Sequence, residues 1–311
     1  MKIKDVKRDS VLKEKTLGLK CGPFNISITS PFDHLFEETL SLYSDFETLK
    51  ADDILDFELS ITKPKSLIRR AFKSQCYFSL GSESPFAPME SHQAFGMFEW
   101  GFNWCISSYA HQYLIIHAAV LEKDGVCVVF PAPPGSGKST LTALLTYSGW
   151  RLLSDELTLI DLSDNLIQGL ARPINLKNHS IKVIQDKFPH VEHSKVMGDT
   201  HKGDVCLFKP TLKSVEEVNV KAKATHVIFP KYKSGGDTVI EQLAQSQFFF
   251  ELIDNSFNYG ILGQQGFEVL TDFVDGIEGY NFTYSNSDEA IELFDKLATQ
   301  GKWDIKVNDD E

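Results

Sequence analysis

The chain has 311 residues, enough to bury one large hydrophobic core or two smaller ones. Its hydrophobic content of 42 % is typical of a folded soluble protein. The formal net charge of −12 argues against general nucleic-acid binding, because that function relies on a basic surface. Any anionic ligand would therefore need lysine or arginine side chains placed locally at its site.

The cysteine pattern and the absence of long apolar runs predict a soluble, cytoplasmic protein. The five cysteines are odd in number and have no C-x-x-C spacing, so we expect reduced thiols. The first residues lack the apolar core of a secretory signal. No apolar run approaches the ~20 residues needed to cross a bilayer, so no membrane partner is expected. The cysteines are Cys21, Cys76, Cys105, Cys127 and Cys206.

The amino-terminal third has the pattern of a β-rich region followed by a helix. Short alternations of apolar and polar residues begin at Phe24 and at Leu55, and turn residues separate them. Aromatic residues are dense between Pro88 and Tyr109, which predicts a buried helix between this region and the rest of the chain. A membrane-surface role for that aromatic stripe is the alternative, although the basic face that such helices use is missing.

After Tyr113 the pattern alternates between strands and helices, which predicts an α/β core with helices packed on a sheet. We therefore expect two domains, at residues 1–112 and 113–311. The predicted elements of the second domain are strands at 114–121 and 126–130, a helix at 139–147, a strand-like run at 150–162, a strand at 226–229, helices at 240–253 and 267–274, a strand at 280–284 and a helix at 287–297.

A glycine-rich loop joins the strand at 126–130 to the helix at 139–147. It fits the Walker A pattern of a phosphate-binding loop, G-x-x-x-x-G-K-[ST], except that Ala132 stands where the first glycine belongs. In such a loop the backbone N–H groups point at phosphate oxygens, and the helix start adds its positive dipole end. An ordinary glycine-rich turn is the alternative. The residues expected to bind the triphosphate are Pro134, Gly135, Ser136, Gly137, Lys138, Ser139 and Thr140.

Two adjacent acids, Asp155 and Glu156, follow Lys138 at a distance that one helix and one strand consume. They should therefore return to the end of the strand beside the phosphate loop. A kinase needs one carboxylate to hold Mg²⁺ and, when a hydroxyl is the acceptor, another to take its proton. Lys138 would reach the β and γ phosphates, and the Ser139 hydroxyl would ligate Mg²⁺. A solvated acidic turn is the alternative for the acid pair.

Two further candidates for the site, His117 and Arg172, also have a purely structural interpretation. His117 lies on the strand before the loop, where a histidine is more often a packing residue. Arg172, with Lys177, lies in a turn-rich positive segment that could neutralise a transferring phosphoryl group, or that could be plain surface charge. Lys202 and Gly203 form a weaker candidate for a second anion-binding loop.

Three histidines, His190, His193 and His201, suggest a zinc site. No cysteine or carboxylate accompanies them at a spacing typical of zinc sites, so we do not predict a zinc centre.

These motifs together resemble a known family. His117, the loop around Lys138 and the run from Gly149 to Glu156 resemble the catalytic domain of HPr kinase/phosphorylase, which phosphorylates a serine on a small carrier protein. The segments at 171–178, 202–203, 229–232 and 257–260 are similar to the subfamily called HprK-related kinase A. Over residues 114–297 the resemblance implies an HPr kinase/phosphoenolpyruvate carboxykinase-like P-loop core of the α/β class, with a β-rich amino-terminal region.

The resemblance also implies roles for individual residues. Asp155 aligns with the proton-accepting aspartate and Glu156 with a Mg²⁺ ligand, and His117 becomes a site residue. The chain departs from the parent family at Ala132 and at Glu156, which replaces a second aspartate. Glutamate still ligates Mg²⁺, but its extra methylene moves the carboxylate by about 1.5 Å. A clear counterpart of the carrier-recognition segment is missing, which puts the carrier itself in doubt as substrate.

Relatives in this subfamily are encoded beside a small PqqD-like peptide chaperone, which implies a peptide or small protein as substrate. The sequence thus predicts an ATP- and Mg²⁺-dependent kinase that transfers the γ-phosphoryl group to a hydroxyl, with serine favoured, on a peptide, small protein or metabolite. A nucleotide-dependent switch or ATPase acting on a partner is the second hypothesis, since a switch needs no base such as Asp155. A third is a scaffold whose amino-terminal third docks a peptide while the nucleotide is structural.

Overall fold

The computed structural model describes residues 1–66, 74–133, 135–200 and 203–303 of a mixed α/β protein with several sheets. The described chain forms two compact units. The first unit contains residues 1–110 and 170–219, and the second contains residues 111–169 and the chain from Val220 onward. The first boundary lies close to the expected one after residue 112. The segment 170–219 belongs to the first unit, although the sequence placed it in the second domain.

Strands and helices are numbered in chain order through both units. The strands are β1 (Thr16–Cys21), β2 (Phe24–Thr29), β3 (Phe57–Thr62), β4 (Gln75–Leu80), β5 (Met89–Glu90), β6 (Tyr113–Ile116), β7 (Ala118–Lys123), β8 (Val126–Pro131), β9 (Arg151–Ser154), β10 (Thr158–Asp161), β11 (Ile167–Gln168), β12 (Ile174–Lys177), β13 (Met197–Thr200), β14 (Gly203–Phe208), β15 (His226–Tyr232), β16 (Val239–Leu243) and β17 (Glu278–Tyr284). The α-helices are α1 (Arg8–Glu14), α2 (Asp33–Leu42), α3 (Ala94–Tyr109), α4 (Lys138–Tyr147), α5 (His179–Lys187), α6 (Leu212–Glu216), α7 (Gln245–Asp254), α8 (Tyr259–Leu262), α9 (Gln264–Val274) and α10 (Ser287–Gln300).

The first unit is built on a five-stranded sheet in the order β1-β2-β3-β4-β5. Its β2 and β3 run parallel, and the other neighbours are antiparallel. The aromatic helix α3 packs on β3, β4 and α2 and is buried along most of its length, which confirms the expected buried helix. A second, three-stranded sheet in the order β12-β14-β13 comes from the returning segment.

The second unit is built on a six-stranded sheet in the order β16-β17-β15-β8-β7-β9. Its three central strands, β17, β15 and β8, run parallel, and β8 is buried throughout. Alternate residues of a strand face opposite sides of a sheet. Val129 accordingly joins the core that α7 and α9 cover, while the Phe130 ring packs 5.5 Å from that of Phe294 on α10. Helices therefore cover both faces, which explains the continuous apolar run of β8.

Three sequence predictions in this unit differ from the structure. The strand expected at 114–121 is interrupted at His117, and the run at 150–162 forms two strands rather than one. At His117 the chain passes from a small sheet of order β11-β10-β6 into the large one, and after Ser154 it passes back into the small sheet. The helix expected at 240–253 begins only at Gln245, because Val239–Leu243 pairs with β17 as an antiparallel edge strand. The strand at 126–130 and the helix at 139–147 are confirmed to within a residue.

No helix in the described part of the chain is both long and apolar enough to cross a membrane.

A buried ion pair holds the returning segment in the first unit. The Arg172 guanidinium pairs with the Glu99 carboxylate of α3 and donates to the Glu99 carbonyl oxygen at 2.9 Å. Tyr43 donates its hydroxyl to the same carboxylate at 2.7 Å, and the Arg172 cation lies 4.6 Å from the centre of the Phe102 ring. Burial opposes the charge of Arg172, but Glu99, Tyr43 and Cys21 together outweigh it and raise the arginine pKa. These contacts supply a structural role for Arg172, and its expected role at a phosphoryl group stays a prediction.

Replacing Arg172 by methionine tests the structural role. The substitution leaves a buried carboxylate uncompensated, so we expect it to lower the free energy of unfolding by about 3–5 kcal/mol. Removing both charges in Arg172→Met/Glu99→Leu should restore part of that loss, because neither charge is then left alone. Urea unfolding followed by tryptophan fluorescence measures both effects. An unchanged free energy of unfolding together with lost phosphoryl transfer would instead support the predicted catalytic role.

Candidate functional site

The glycine-rich loop of the second unit, predicted to bind phosphate, has the strand–loop–helix form that its sequence predicts. β8 ends at Pro131 and α4 begins at Lys138. Between them Gly135 and Gly137 adopt φ angles of +87° and +94°, which residues with a Cβ rarely take. Gly137 is the N-cap residue of α4, so the first N–H groups of that helix border the loop. Pro134, expected to contact the triphosphate, lies outside the described residues.

Two tyrosines at the ends of neighbouring strands hold the loop through hydrogen bonds. The Tyr232 backbone N–H donates to the Ser136 carbonyl oxygen at 2.7 Å, and the Tyr284 hydroxyl donates to the Gly137 carbonyl oxygen at 3.1 Å. Tyr232 and Tyr284 are partners in the parallel pairing of β15 with β17. A Cβ on Gly137 would lie 2.8 Å from the Tyr232 Cβ, so the strand ends and the loop are in direct contact.

Lys138 and His117 meet beside the loop. Lys138 is buried, and its Nζ lies 3.4 Å from the His117 Nε2. An ammonium group has no acceptor, so in this contact Nζ donates and the histidine ring nitrogen accepts. The His117 backbone N–H donates to the Asn255 carbonyl oxygen at 2.7 Å, and its ring lies 5.9 Å from that of Phe257. His117 is thus held by its backbone and placed to orient the lysine amine.

The acid pair lies at the same edge of the sheet as the loop. Ala118 of β7 is opposite Pro131 of β8, and Val120 of β7 is opposite Ser154 of β9. β9 is antiparallel to β7, as β8 is, so β8 and β9 end at one edge. Asp155 and Glu156 follow the end of β9 there. With strands about 4.8 Å apart, two steps across the sheet put their backbone about 10 Å from that of Pro131.

The chain passes between the small sheet and the large one at His117 and again after Ser154. These two crossings bring His117 opposite the acids. Ile116 pairs with Thr158 in the small sheet, and Val120 pairs with Ser154 in the large one. The segments 117–119 and 155–157 therefore face each other, and the Thr158 hydroxyl donates to the Ala118 carbonyl oxygen at 3.1 Å. Asp155 is only 5 % exposed, so a solvated acidic turn does not describe it.

The other sequence candidates are distributed as follows. Ser139 and Thr140 are half-buried in the first turn of α4. Lys177 ends β12 and, like Arg172, belongs to the first unit. The described residues hold no group of three or more His, Cys, Asp or Glu side chains that could bind a metal by themselves. His201 of the suggested zinc set and Lys202 of the suggested second anion-binding loop lie outside those residues.

Sequence reasoning missed the part that Tyr232 and Tyr284 play. Both are buried or half-exposed aromatic residues at strand ends, and nothing in their spacing links them to a loop more than ninety residues earlier. The parallel order of β8, β15 and β17 creates that proximity.

Comparisons with known proteins provide little further information. No protein-family model matches the chain, and no curated protein matches it. Among solved structures, the HPr(Ser) kinase/phosphatase from Coxiella burnetii matches 60 % of this chain and 95 % of its own, with a TM-score of 0.27 and 11 % sequence identity. A likeness this weak carries no weight in assigning the site.

Gly137→Ala tests whether the loop conformation is needed for anion binding. The added Cβ would press on Tyr232 and Tyr284, and the positive φ would be strained. We expect the affinity for inorganic tripolyphosphate to fall about tenfold or more, equivalent to at least ~1.4 kcal/mol. Isothermal titration calorimetry measures this loss.

Gly149→Ala is the matched control for backbone strain alone. Gly149 also has a positive φ, of +101°, but a Cβ there would meet open space. Both variants should lose about 1–3 kcal/mol of stability, whereas only Gly137→Ala should lose affinity. Equal affinity in the two variants would contradict an anion-binding role for this loop.

Proposed function

We propose that the second unit is an ATP- and Mg²⁺-dependent phosphotransferase that transfers the γ-phosphoryl group to a hydroxyl. The expected acceptor is a serine of a peptide or small protein. The observation that carries this proposal is the meeting, at one edge of one sheet, of a lysine-bearing glycine loop and a buried acid.

The loop supports binding of the phosphates. The two glycines with positive φ allow the tight turn from which, in our proposal, N–H groups converge on a bound phosphate, and the start of α4 adds its dipole. The ammonium group of Lys138 offsets the negative charge that develops as the bond between the β and γ phosphates breaks. His117 acts here as a positioning residue, because its Nε2 contacts the Lys138 Nζ.

The acid pair supports the transfer step. In our proposal Asp155 accepts the proton of the acceptor hydroxyl as its oxygen attacks the γ-phosphorus. The bond from that phosphorus to the bridging oxygen breaks, and ADP leaves with the electron pair. Asp155 is buried and follows β9 at the edge of the sheet where the loop lies, which supports this role.

The residues present suit a magnesium ion. Mg²⁺ commonly takes only one or two carboxylates and completes its shell with phosphates and waters, so a cluster of three acids is not required. Ser139, in the first turn of α4, and Glu156, at the end of β9, are the side chains we expect to hold it. A Mg²⁺ ion held by these side chains would neutralise part of the charge of the phosphates.

Asp155→Asn tests the assignment of the base. With radiolabelled ATP and a library of serine peptides, we expect phosphoryl transfer to fall by about 10²–10⁴-fold, because amides do not accept the proton. The affinity for ATP should stay close to that of the wild type. Lys138→Met should instead weaken ATP binding itself.

Asp124→Asn is the matched control, because Asp124 is exposed in the turn between β7 and β8 and asparagine tolerates its positive φ. It should leave transfer unchanged. Wild-type transfer by Asp155→Asn would remove the assigned base. Phosphate release without transfer to any acceptor, raised by a partner protein, would favour the nucleotide-dependent switch.

A further inference from the structure

The negative charge of the protein is concentrated in one stretch of the second unit. Between Lys233 and Lys296 the sequence contains no lysine, arginine or histidine, and it contains twelve aspartates and glutamates. The formal charge of this stretch equals the net charge of the whole chain, so the remainder is neutral overall. Helices α7, α8 and α9 lie within it.

These helices also expose large apolar side chains. Phe250 is 64 % exposed, Phe267 is 51 % exposed and Ile261 is 67 % exposed, although α7 and α9 bury their other sides in the core. The Phe249 ring lies 5.8 Å from that of Phe250 and 6.2 Å from that of Phe267, so α7 and α9 present these aromatics next to each other. Exposed apolar clusters of this kind mark interaction surfaces.

Acidic side chains lie among the apolar ones. Glu251 follows Phe250, Glu268 follows Phe267, and Asp254 lies at the end of α7, all of them exposed. We call the combination the acidic aromatic surface. It consists of Phe250, Glu251, Asp254, Phe257, Ile261, Phe267 and Glu268.

This surface reaches the phosphate loop through Phe257, which is 48 % exposed. The Phe257 ring contacts the His117 ring, and His117 contacts the Lys138 amine. Buried Asn258 fixes the connection, since its side chain accepts from the Ile115 N–H at 2.9 Å and donates to the Tyr113 carbonyl oxygen at 2.8 Å. Phe257 therefore lies beside the histidine that contacts the lysine, in the segment between the end of α7 and the start of α8.

We propose that the acidic aromatic surface binds the acceptor polypeptide and that this polypeptide carries basic side chains next to bulky apolar ones. The inference rests on the proposed phosphotransferase function. Phenylalanine rings bind both aliphatic side chains and the cations of lysine and arginine. Neighbouring carboxylates attract such cations and steer a basic segment to the site. Their sign disfavours nucleic acid and anionic lipid, which this surface repels.

The first test compares three synthetic serine peptides. One carries lysines and leucines around the serine, the second has glutamine in place of each lysine, and the third has serine in place of each leucine. Fluorescence polarisation without ATP reports docking, and radiolabelled ATP reports transfer. We expect the basic apolar peptide to bind about tenfold or more tightly than either control peptide, a difference of at least ~1.4 kcal/mol. Equal binding of the three peptides would overturn the proposal.

The second test changes the surface. Phe267→Ser and Glu251→Lys should each raise the KM for the basic apolar peptide about tenfold, with kcat and the affinity for ATP unchanged. Ile54→Ser, at a more exposed apolar position in the first unit, and Glu292→Lys, outside the surface on α10, are the controls. Glu251→Lys should also improve binding of a peptide whose lysines are replaced by glutamates.

The outcomes separate the two proposals. Docking of the basic apolar peptide that Phe267→Ser abolishes, without transfer under any condition, supports this surface and contradicts the phosphotransferase. Transfer to peptides with an unchanged KM in both surface variants contradicts the surface alone. A dimer that sedimentation velocity detects in the wild type and not in Phe267→Ser would assign the surface to a second copy of this chain and overturn the proposal.

Discussion

The contact between the phosphate loop and the ends of β15 and β17 is the constraint on which the site depends. A phosphate loop works only if its N–H groups are fixed before the anion arrives, because ordering them on binding would cost conformational entropy. Here the carbonyl groups of Ser136 and Gly137 are tied to Tyr232 and Tyr284. These bonds turn the carbonyl groups toward the strands, while the N–H groups of Ser136 and Lys138 make local contacts of 3.3 Å to the Pro133 carbonyl oxygen and the Ser136 Oγ. Only glycine fits at 137, between the two tyrosines.

The order of strands then decides which side chains share the edge with that loop. The loop follows the end of β8. The adjacent strand β7 begins at the same edge, and β9, two strands from β8, ends there. The chain enters the large sheet at His117 and leaves it after Ser154, and these paired crossings bring a histidine and two acids opposite each other. In our proposal these two interruptions, at His117 and after Ser154, create the catalytic arrangement, although in sequence they only break the regular strand pattern.

The strand–loop–helix unit could be predicted from sequence because glycine positions and apolar periodicity are local signals. Counting one helix and one strand after Lys138 predicts the sheet edge at which the acid pair lies, but it wrongly makes β9 the neighbour of β8, because β7 lies between them. Other features depend on pairing that no local pattern encodes. The apolar and polar residues of Val239–Leu243 suit a helix as well as an edge strand. Pairing with β17 makes the segment a strand. The return of residues 170–219 to the first unit depends on partners such as Glu99, about seventy residues earlier.

The same distinction explains why the acidic aromatic surface was not predicted. The sequence shows phenylalanines such as Phe250 and Phe267 in amphipathic helices, where most apolar residues face the core. Only the fold shows that these two face outward, beside carboxylates and next to the site. The N-terminal third contributes the aromatic helix α3 and a buried ion pair, and both serve the packing of the first unit.

A crystal structure of the protein with a non-hydrolysable ATP analogue and Mg²⁺ tests the central claim most directly. Our account predicts the triphosphate in the loop from Gly135 to Ser139, with its terminal phosphate in hydrogen-bond reach of the Lys138 Nζ and with Glu156 on the metal. The Asp155 carboxylate should face the terminal phosphate with room for one hydroxyl between them. A nucleotide bound elsewhere, or an Asp155 carboxylate turned away from the terminal phosphate, would contradict the account.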